Sequence, residues 1–308
     1  MALSRLEVTA AGIRFQNPVL LAAGTAGYGR ELAGVVPLEE LGGIITKAVS
    51  IEPRSGAPSP RVAELENGMI NAVGLANPGA DEVAADHLPW LERNLRRAKV
   101  IVNVVGDATH EFAEVISRLD DSPAVSAYEL NVSCPNVRAG GLEFGADNAA
   151  LGELIARSRA ATTKPLFVKL SPTLQNIADT ARHAVASGAD GISVVNTLPG
   201  LAIDVERRAP VLGFGTGGVS GAGLLPIGVL ATFRVAKAVT VPVIGIGGVS
   251  SATDVVQYML AGASLVAVGT AIMRDPRVAP RLVAELDGWC AGHGVNNVTE
   301  LRGTLSWQ

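Results

Sequence analysis

Two cysteines in 308 residues, Cys134 and Cys290, are too few for a disulfide framework, and a reducing, cytoplasmic setting fits the chain better than a secreted one. Charge is sparse as well. Only 18% of residues are charged, the net charge is −4, and no Lys/Arg-rich block overrides that average. Neither nucleic acid nor an anionic membrane is therefore expected as the main partner. The stretch 1–15 carries Arg5, Glu7 and Arg14 and has no apolar core of signal-peptide length. Two uncharged stretches invite a membrane reading. Residues 209–233 contain seven glycines and two prolines, which makes a poor spanning helix. Residues 255–273 are broken by Ala261-Gly262-Ala263 and read as a buried helix followed by a buried strand. No membrane span is expected, and no metal site. No repeat longer than one strand–helix unit stands out, and no linker divides the chain.

Apolar residues are what the chain has in quantity. At 48% hydrophobic it can bury a large core, and its length suits one α/β barrel domain carrying insertions. Short, near-continuous apolar runs alternate with helical segments, the pattern of parallel strands covered on both faces. Eight strands are expected, at 19–23, 43–46, 100–104, 126–130, 166–168, 191–195, 243–246 and 265–268. Helices are expected at 81–97, 110–119, 148–161, 174–187, 223–238, 252–261 and 276–289. The helix after the first strand, near 30–41, is poorly marked and interrupted by Pro37. Residues 6–9 and 13–16 alternate around Ala11-Gly12 like a hairpin capping the barrel floor. The expected fold is thus a (β/α)8 TIM barrel with an N-terminal β-hairpin and long loops after strands 2, 4 and 6. The connections 50–80 and 196–222 are too long to be plain loops, and such loops usually build a site.

Polar residues cluster where these strands end. The second strand runs into Lys47, the third into Asn103, the fourth into Asn131, the fifth into Lys169 and the sixth into Asn196-Thr197. Asn and Thr end strands as turn formers, which would explain any one of them. Two lysines directly after buried runs are different, because an unpaired buried ammonium is expensive. All these positions meet at the C-terminal face of a barrel, where active sites lie. Gly247-Gly248 and Gly269-Thr270 follow the seventh and eighth strands. Either pair alone is as well explained by a tight turn; on consecutive strands they point to a phosphate cradle. Gly213-Phe214-Gly215-Thr216-Gly217-Gly218 matches a dinucleotide fingerprint but follows no strand and lacks an acidic residue about 20 positions on, so it is rejected.

The segment Glu129-Leu130-Asn131-Val132-Ser133-Cys134-Pro135-Asn136-Val137 resembles the signature of class 1 dihydroorotate dehydrogenases. Asn71-Ala72-Val73-Gly74-Leu75-Ala76-Asn77-Pro78-Gly79 is similar to that family's substrate loop, and Val168-Lys169-Leu170-Ser171-Pro172 and Gly217-Gly218-Val219-Ser220-Gly221 fall in its order. The likeness runs from about residue 6 to 275 and looks most like the NAD-linked class 1B catalytic subunit. Phe214-Gly215, Ala222-Gly223 and Ala26 depart from the family's pattern at the strand-6 loop and the rim of the site. The resemblance implies FMN-dependent oxidation of dihydroorotate to orotate in pyrimidine biosynthesis. It implies substrate contacts at Lys47, Asn71, Ala72, Val73, Gly74, Leu75, Asn131, Asn196 and Thr197. For FMN it implies Ala23, Lys47, Ala48, Asn103, Asn131, Lys169, Val195, Gly221, Gly247, Gly248, Gly269 and Thr270.

That oxidation needs a base, and His87, His110, His183 and His293 all lie away from the strand ends. A buried small hydrophobe is the commoner fate of a free cysteine, but Cys134, in a Ser-Cys-Pro-Asn loop just after the fourth strand, is expected to serve as the catalytic base in its thiolate form. Cys290 reads as core. Glu129 shares strand parity with Asn131 and is expected to point inward and pair with Lys47 or Lys169. A [2Fe–2S] cluster usually takes four cysteines and this chain has two, so with NAD as final acceptor the class 1B resemblance implies a partner subunit carrying FAD and the cluster, around a homodimer core. The alternatives are a class 1A enzyme using fumarate, a related pyrimidine-reducing flavoprotein, a Schiff-base lyase barrel built on Lys47 or Lys169, and a non-catalytic phosphate-binding barrel.

Overall fold

Eight strands made almost wholly of buried residues close on themselves in chain order. They are β1 Val19–Leu21, β2 Gly43–Ile45, β3 Lys99–Val104, β4 Val125–Asn131, β5 Leu166–Leu170, β6 Gly191–Val194, β7 Val243–Ile246 and β8 Leu265–Val268. Every neighbouring pair is parallel, and β8 returns to β1. The computed structural model describes residues 5–133, 135–136 and 142–307. Each strand sits within a residue or two of its expected position, because both faces of a parallel barrel are covered and the strands read as predominantly apolar runs.

Register and pleat decide which side chains enter the barrel. Phe167 lies level with Gly191 across β5 and β6. A Cβ on Gly191 would come 2.3 Å from the Phe167 ring, so the absent side chain leaves the space this fully buried ring fills. Polar residues enter at the same level and at the next one: Glu129, the neighbour of Phe167 on β4, aligns with Asn103, and two residues further on Asn131 aligns with Lys169.

The hairpin of Val8–Ala10 and Ile13–Phe15 closes the opposite end. Leu6, Val8, Ala10 and Phe15 join the core, and the Gln16 amide donates to the carbonyls of Glu39 and Leu41, just before β2 begins. The expected helix near 30–41 is instead a series of turns ending in a 3-10 turn, Leu38–Glu40. The expected helix 81–97 divides into Ala80–Glu82, a π-helical turn Val83–His87 and Leu88–Asn94. Pro89 has no N–H to give to the carbonyl four residues back, which marks the place where the regular ladder breaks. The last long helix starts at Val278 rather than 276 and runs to Gly292.

The two long connections are not loops lying side by side. Val62–Leu65 and Gly68–Asn71 from the first form a four-stranded antiparallel sheet with Leu198–Gly200 and Gly217–Gly221 from the second. This sheet stands over the C-terminal end of the barrel. Among the described residues no helix is long and apolar enough to cross a membrane.

Candidate active site

A cavity of about 960 Å3 opens at the C-terminal ends of the strands, beneath the added sheet. That is the upper part of the roughly 300–1,000 Å3 range of ligand pockets. Its floor takes Lys47, Asn103, Asn131 and Lys169 from β2 to β5, and Val195, Asn196 and Thr197 from the end of β6. Ala23 and Ala48 line it beside them. Gly221, Gly247, Gly248, Gly269 and Thr270 form one wall. Asn71, Val73 and Leu75 reach it from the added sheet, whereas Ala72 and Gly74, alternating with them, do not line it. The Ala72 N–H is spent on the carbonyl of Arg61, and Gly74 packs against the backbone of Ala57. Cys134 lies outside the described residues; Asn131 and Ser133, just before it, both line the cavity.

Two lysines enter the same space with different surroundings. Lys169 Nζ lies 3.7 Å from Glu129 Oε1, and the two side chains are 6% and 0% exposed. Asn103 Nδ2 donates to the same Oε1 at 2.7 Å. The inward Glu129 expected from strand parity is therefore present, with Lys169 as its partner. Lys47, which also lines the cavity, has no acidic partner among the described residues.

The glycine wall is clamped from behind by one helix, Ala252–Leu260. Ser251 and Asp254 form a capping box, and Asp254 Oδ2 also accepts from the Ser250 N–H at 2.9 Å and the Ser250 hydroxyl at 3.1 Å. One turn further on, the Tyr258 hydroxyl donates to the Gly247 carbonyl at 2.7 Å. Burial pushes this phenol well above its ordinary range, so it remains a donor at physiological pH. Gly248 has φ +72°, and a Cβ there would lie 2.5 Å from the Leu225 nitrogen. Opposite, Thr270 Oγ1 donates to Ser220 Oγ at 2.7 Å. The Gly248 and Val249 N–H groups have no acceptor among the described residues, as an anion cradle requires.

The residues present fit a flavin mononucleotide. The glycine wall supplies free N–H groups for a phosphate. Asn103, a cavity-lining residue only 1% exposed, keeps a buried Oδ1 without a partner, an acceptor that a ring N–H would satisfy. Among the described residues no cluster of His, Cys, Asp and Glu could hold a metal ion.

The family model for dihydroorotate dehydrogenase matches residues 5–289. The chain belongs to the dihydroorotate dehydrogenase family. It is 45% identical over 300 residues to the dihydroorotate dehydrogenase B (NAD(+)) catalytic subunit of Pelobacter propionicus, covering 97% of this chain and 98% of that one. The protein of the same name from Geotalea daltonii is 43% identical over 305 residues, 99% of each. Among solved structures, dihydroorotate dehydrogenase from Eimeria tenella in complex with ferulenol superposes with a TM-score of 0.82 at 25% identity, over 97% of this chain and 88% of that one.

Several lining residues of this dehydrogenase-family cavity were missed in the sequence. Ser133, Ser220, Arg274 and Arg281 all border it, and Arg274 reaches Glu64 of the added sheet at 3.1 Å across the mouth. Ser133 and Ser220, each inside a motif already singled out, were the two with a readable signal.

Proposed function

We propose that this chain, acting as one FMN-binding barrel domain, oxidises dihydroorotate to orotate in pyrimidine biosynthesis, as the catalytic subunit of an NAD-linked enzyme. One observation carries the reading: in a member of this family, an unpaired lysine, the asparagines Asn71, Asn103, Asn131 and Asn196, a second, paired lysine and a glycine cradle converge on a single cavity. FMN held there supplies the acceptor for the hydride leaving C6 of the substrate. Gly221, Gly247, Gly248, Gly269 and Thr270 would hold its phosphate, and Ala23, Ala48, Asn103 and Val195 would border its ring.

Lys47 and the amides of Asn71, Asn131 and Asn196 hold the pyrimidine and its carboxylate, since Asn offers both a donor and an acceptor to a cyclic imide. Thr197 and the segment 72–75 complete the substrate pocket. The Asn196 amide lies 3.4 Å from Asn131 Oδ1, and the Asn71 amide donates to the Gly218 carbonyl at 3.2 Å, so these groups are oriented before a ligand arrives. Cys134, as thiolate, takes the proton from C5. Lys169 sets positive charge inside the cavity, where it favours the electron-rich state of the cofactor.

Electrons then leave for NAD through a partner subunit. This chain lacks the four cysteines that a [2Fe–2S] cluster usually takes, and FAD and the cluster belong to that partner, bound to a homodimer of this chain in the cytoplasm. The designation of the relatives as catalytic subunits supports this.

The test is an absorbance spectrum of the pure protein with and without dihydroorotate under anaerobic conditions. A flavin spectrum that bleaches on addition is expected; a colourless protein, or a flavin that stays oxidised, refutes the assignment. Turnover of the isolated chain with fumarate would move the enzyme out of the NAD-linked class. NAD reduction only when the second subunit is added is the expected result.

A further inference from the structure

Glu129 does not line the cavity, yet it touches two residues that do. Its Oε1 accepts from Asn103 and lies 3.7 Å from the Lys169 ammonium, while Oε2 is buried with no hydrogen-bond partner among the described residues. A carboxylate with no exposed surface is costly, and a well-packed apolar residue would fill the volume at less expense. The register leaves little freedom in this arrangement. Asn103 stands level with Glu129 on one side, and β5, which carries Lys169, runs on the other. One oxygen thus fixes the orientation of the Asn103 amide and part-neutralises the cation that faces the cofactor.

We propose that Glu129 is a positioning residue that sets, through Lys169, how much positive charge the flavin experiences, and so holds its reduction potential below the value that Lys169 alone would give. The inference rests on the FMN reading above. Negative charge behind Lys169 opposes electron uptake by the ring, and its removal favours the reduced state.

Glu129→Gln keeps the volume and still accepts from Asn103, but loses the charge. Loss of the carboxylate also releases the Lys169 ammonium from its 3.7 Å contact to approach the ring, a change worth more than a factor of ten in an effective dielectric near 20. The flavin in Glu129→Gln, titrated spectrophotometrically against a reference dye, is therefore expected to shift at least tenfold toward reduction, about 30 mV for a two-electron couple. In a Lys169→Met background the same change is expected to shift the potential much less. Glu129→Asp, which withdraws the carboxylate by one methylene, is expected to give a smaller upward shift and serves if Glu129→Gln does not fold.

A potential unchanged or lowered in whichever of Glu129→Gln and Glu129→Asp folds overturns the proposal while leaving the FMN assignment intact. A full shift that persists without Lys169 overturns the route through the lysine. A wild-type protein that binds no FMN overturns both readings at once.

Discussion

The glycine cradle can be tested by adding a single methyl group. Gly248 adopts φ +72°, and a Cβ built there meets the Leu225 nitrogen at 2.5 Å and its Cα and Cβ at 2.8 Å. Leu225 opens the helix Leu225–Ala238, so the obstacle is backbone that cannot rotate out of the way. The left-handed conformation costs a non-glycine residue about 1–2 kcal/mol. Overpacking adds roughly 1–3 kcal/mol. In Gly248→Ala the turn is therefore strained by about 2–5 kcal/mol, relieved only if the turn moves away from the helix and takes its N–H groups with it. If those groups hold the FMN phosphate, the loss falls on cofactor affinity. At about 1.4 kcal/mol per tenfold, Kd rises between roughly thirtyfold and a few thousandfold.

Flavin fluorescence quenching on titrating apoprotein measures that Kd, and Gly12→Ala is the control. Gly12 has φ +76° in the N-terminal hairpin, and its Cβ would meet nothing within 4 Å. Its alanine variant should lose a little thermal stability and no FMN affinity. If Gly248→Ala binds FMN within threefold of wild type, the glycine serves the turn alone and the phosphate lies elsewhere.

Cys134→Ala is expected to keep its flavin and lose about 10²–10⁴-fold in kcat at neutral pH; full activity would remove the proposed base. In that variant Cys290 is the remaining thiol, with no exposed surface, and burial pushes it above the ordinary thiol range. The native Cys134→Ala protein should take no iodoacetamide label at pH 8 and one label in guanidinium. Because the folded thiol keeps its proton while the unfolded one ionises, stability should fall as pH climbs past about 8.5, and Cys290→Ala should flatten that slope. Asn77 accepts from the N–H groups of Ser50 and Gly79 and donates to the Ser50 hydroxyl and the Leu75 carbonyl. Asn77→Ala orphans the two N–H groups and the Leu75 carbonyl, while the Ser50 hydroxyl keeps its bond to the Glu52 carbonyl; the cost is about 1–3 kcal/mol for each group that stays dry, and the segment 71–75 is freed. KM for dihydroorotate should rise at least tenfold with little change in FMN affinity.

The barrel was legible because its strands are covered on both faces, and nothing else in the chain looks like Phe167-Val168 or Leu265-Val266-Ala267-Val268. The added sheet was not. Its Gly217–Gly221 strand holds three glycines, and Gly218 pairs with Asn71 far earlier in the chain. No local periodicity reports a pairing that distant. Three glycines are what the close approach requires, since a Cβ on Gly221 would sit 2.4 Å from the Cα of Gly68. The short helix Thr270–Arg274 was given no bounds for a similar reason: five residues show no helical period, although they carry Arg274 to the mouth of the cavity.

Two lysines that look alike in the sequence part company in the barrel, and strand adjacency is the cause. Parity placed Glu129 inside but left both lysines open as its partner. β5 is the direct neighbour of β4, so Lys169 comes within 3.7 Å of the carboxylate. Lys47 follows β2, and β3 intervenes with Asn103, which takes the carboxylate for itself. The consequence is electrostatic. Lys169 is held and part-neutralised from behind, which suits a group that remains beside a resident cofactor. Lys47 keeps its full charge facing the cavity, which suits an anion that comes and goes. Replacing Lys47 should therefore weaken carboxylate binding more than flavin binding, and replacing Lys169 the reverse.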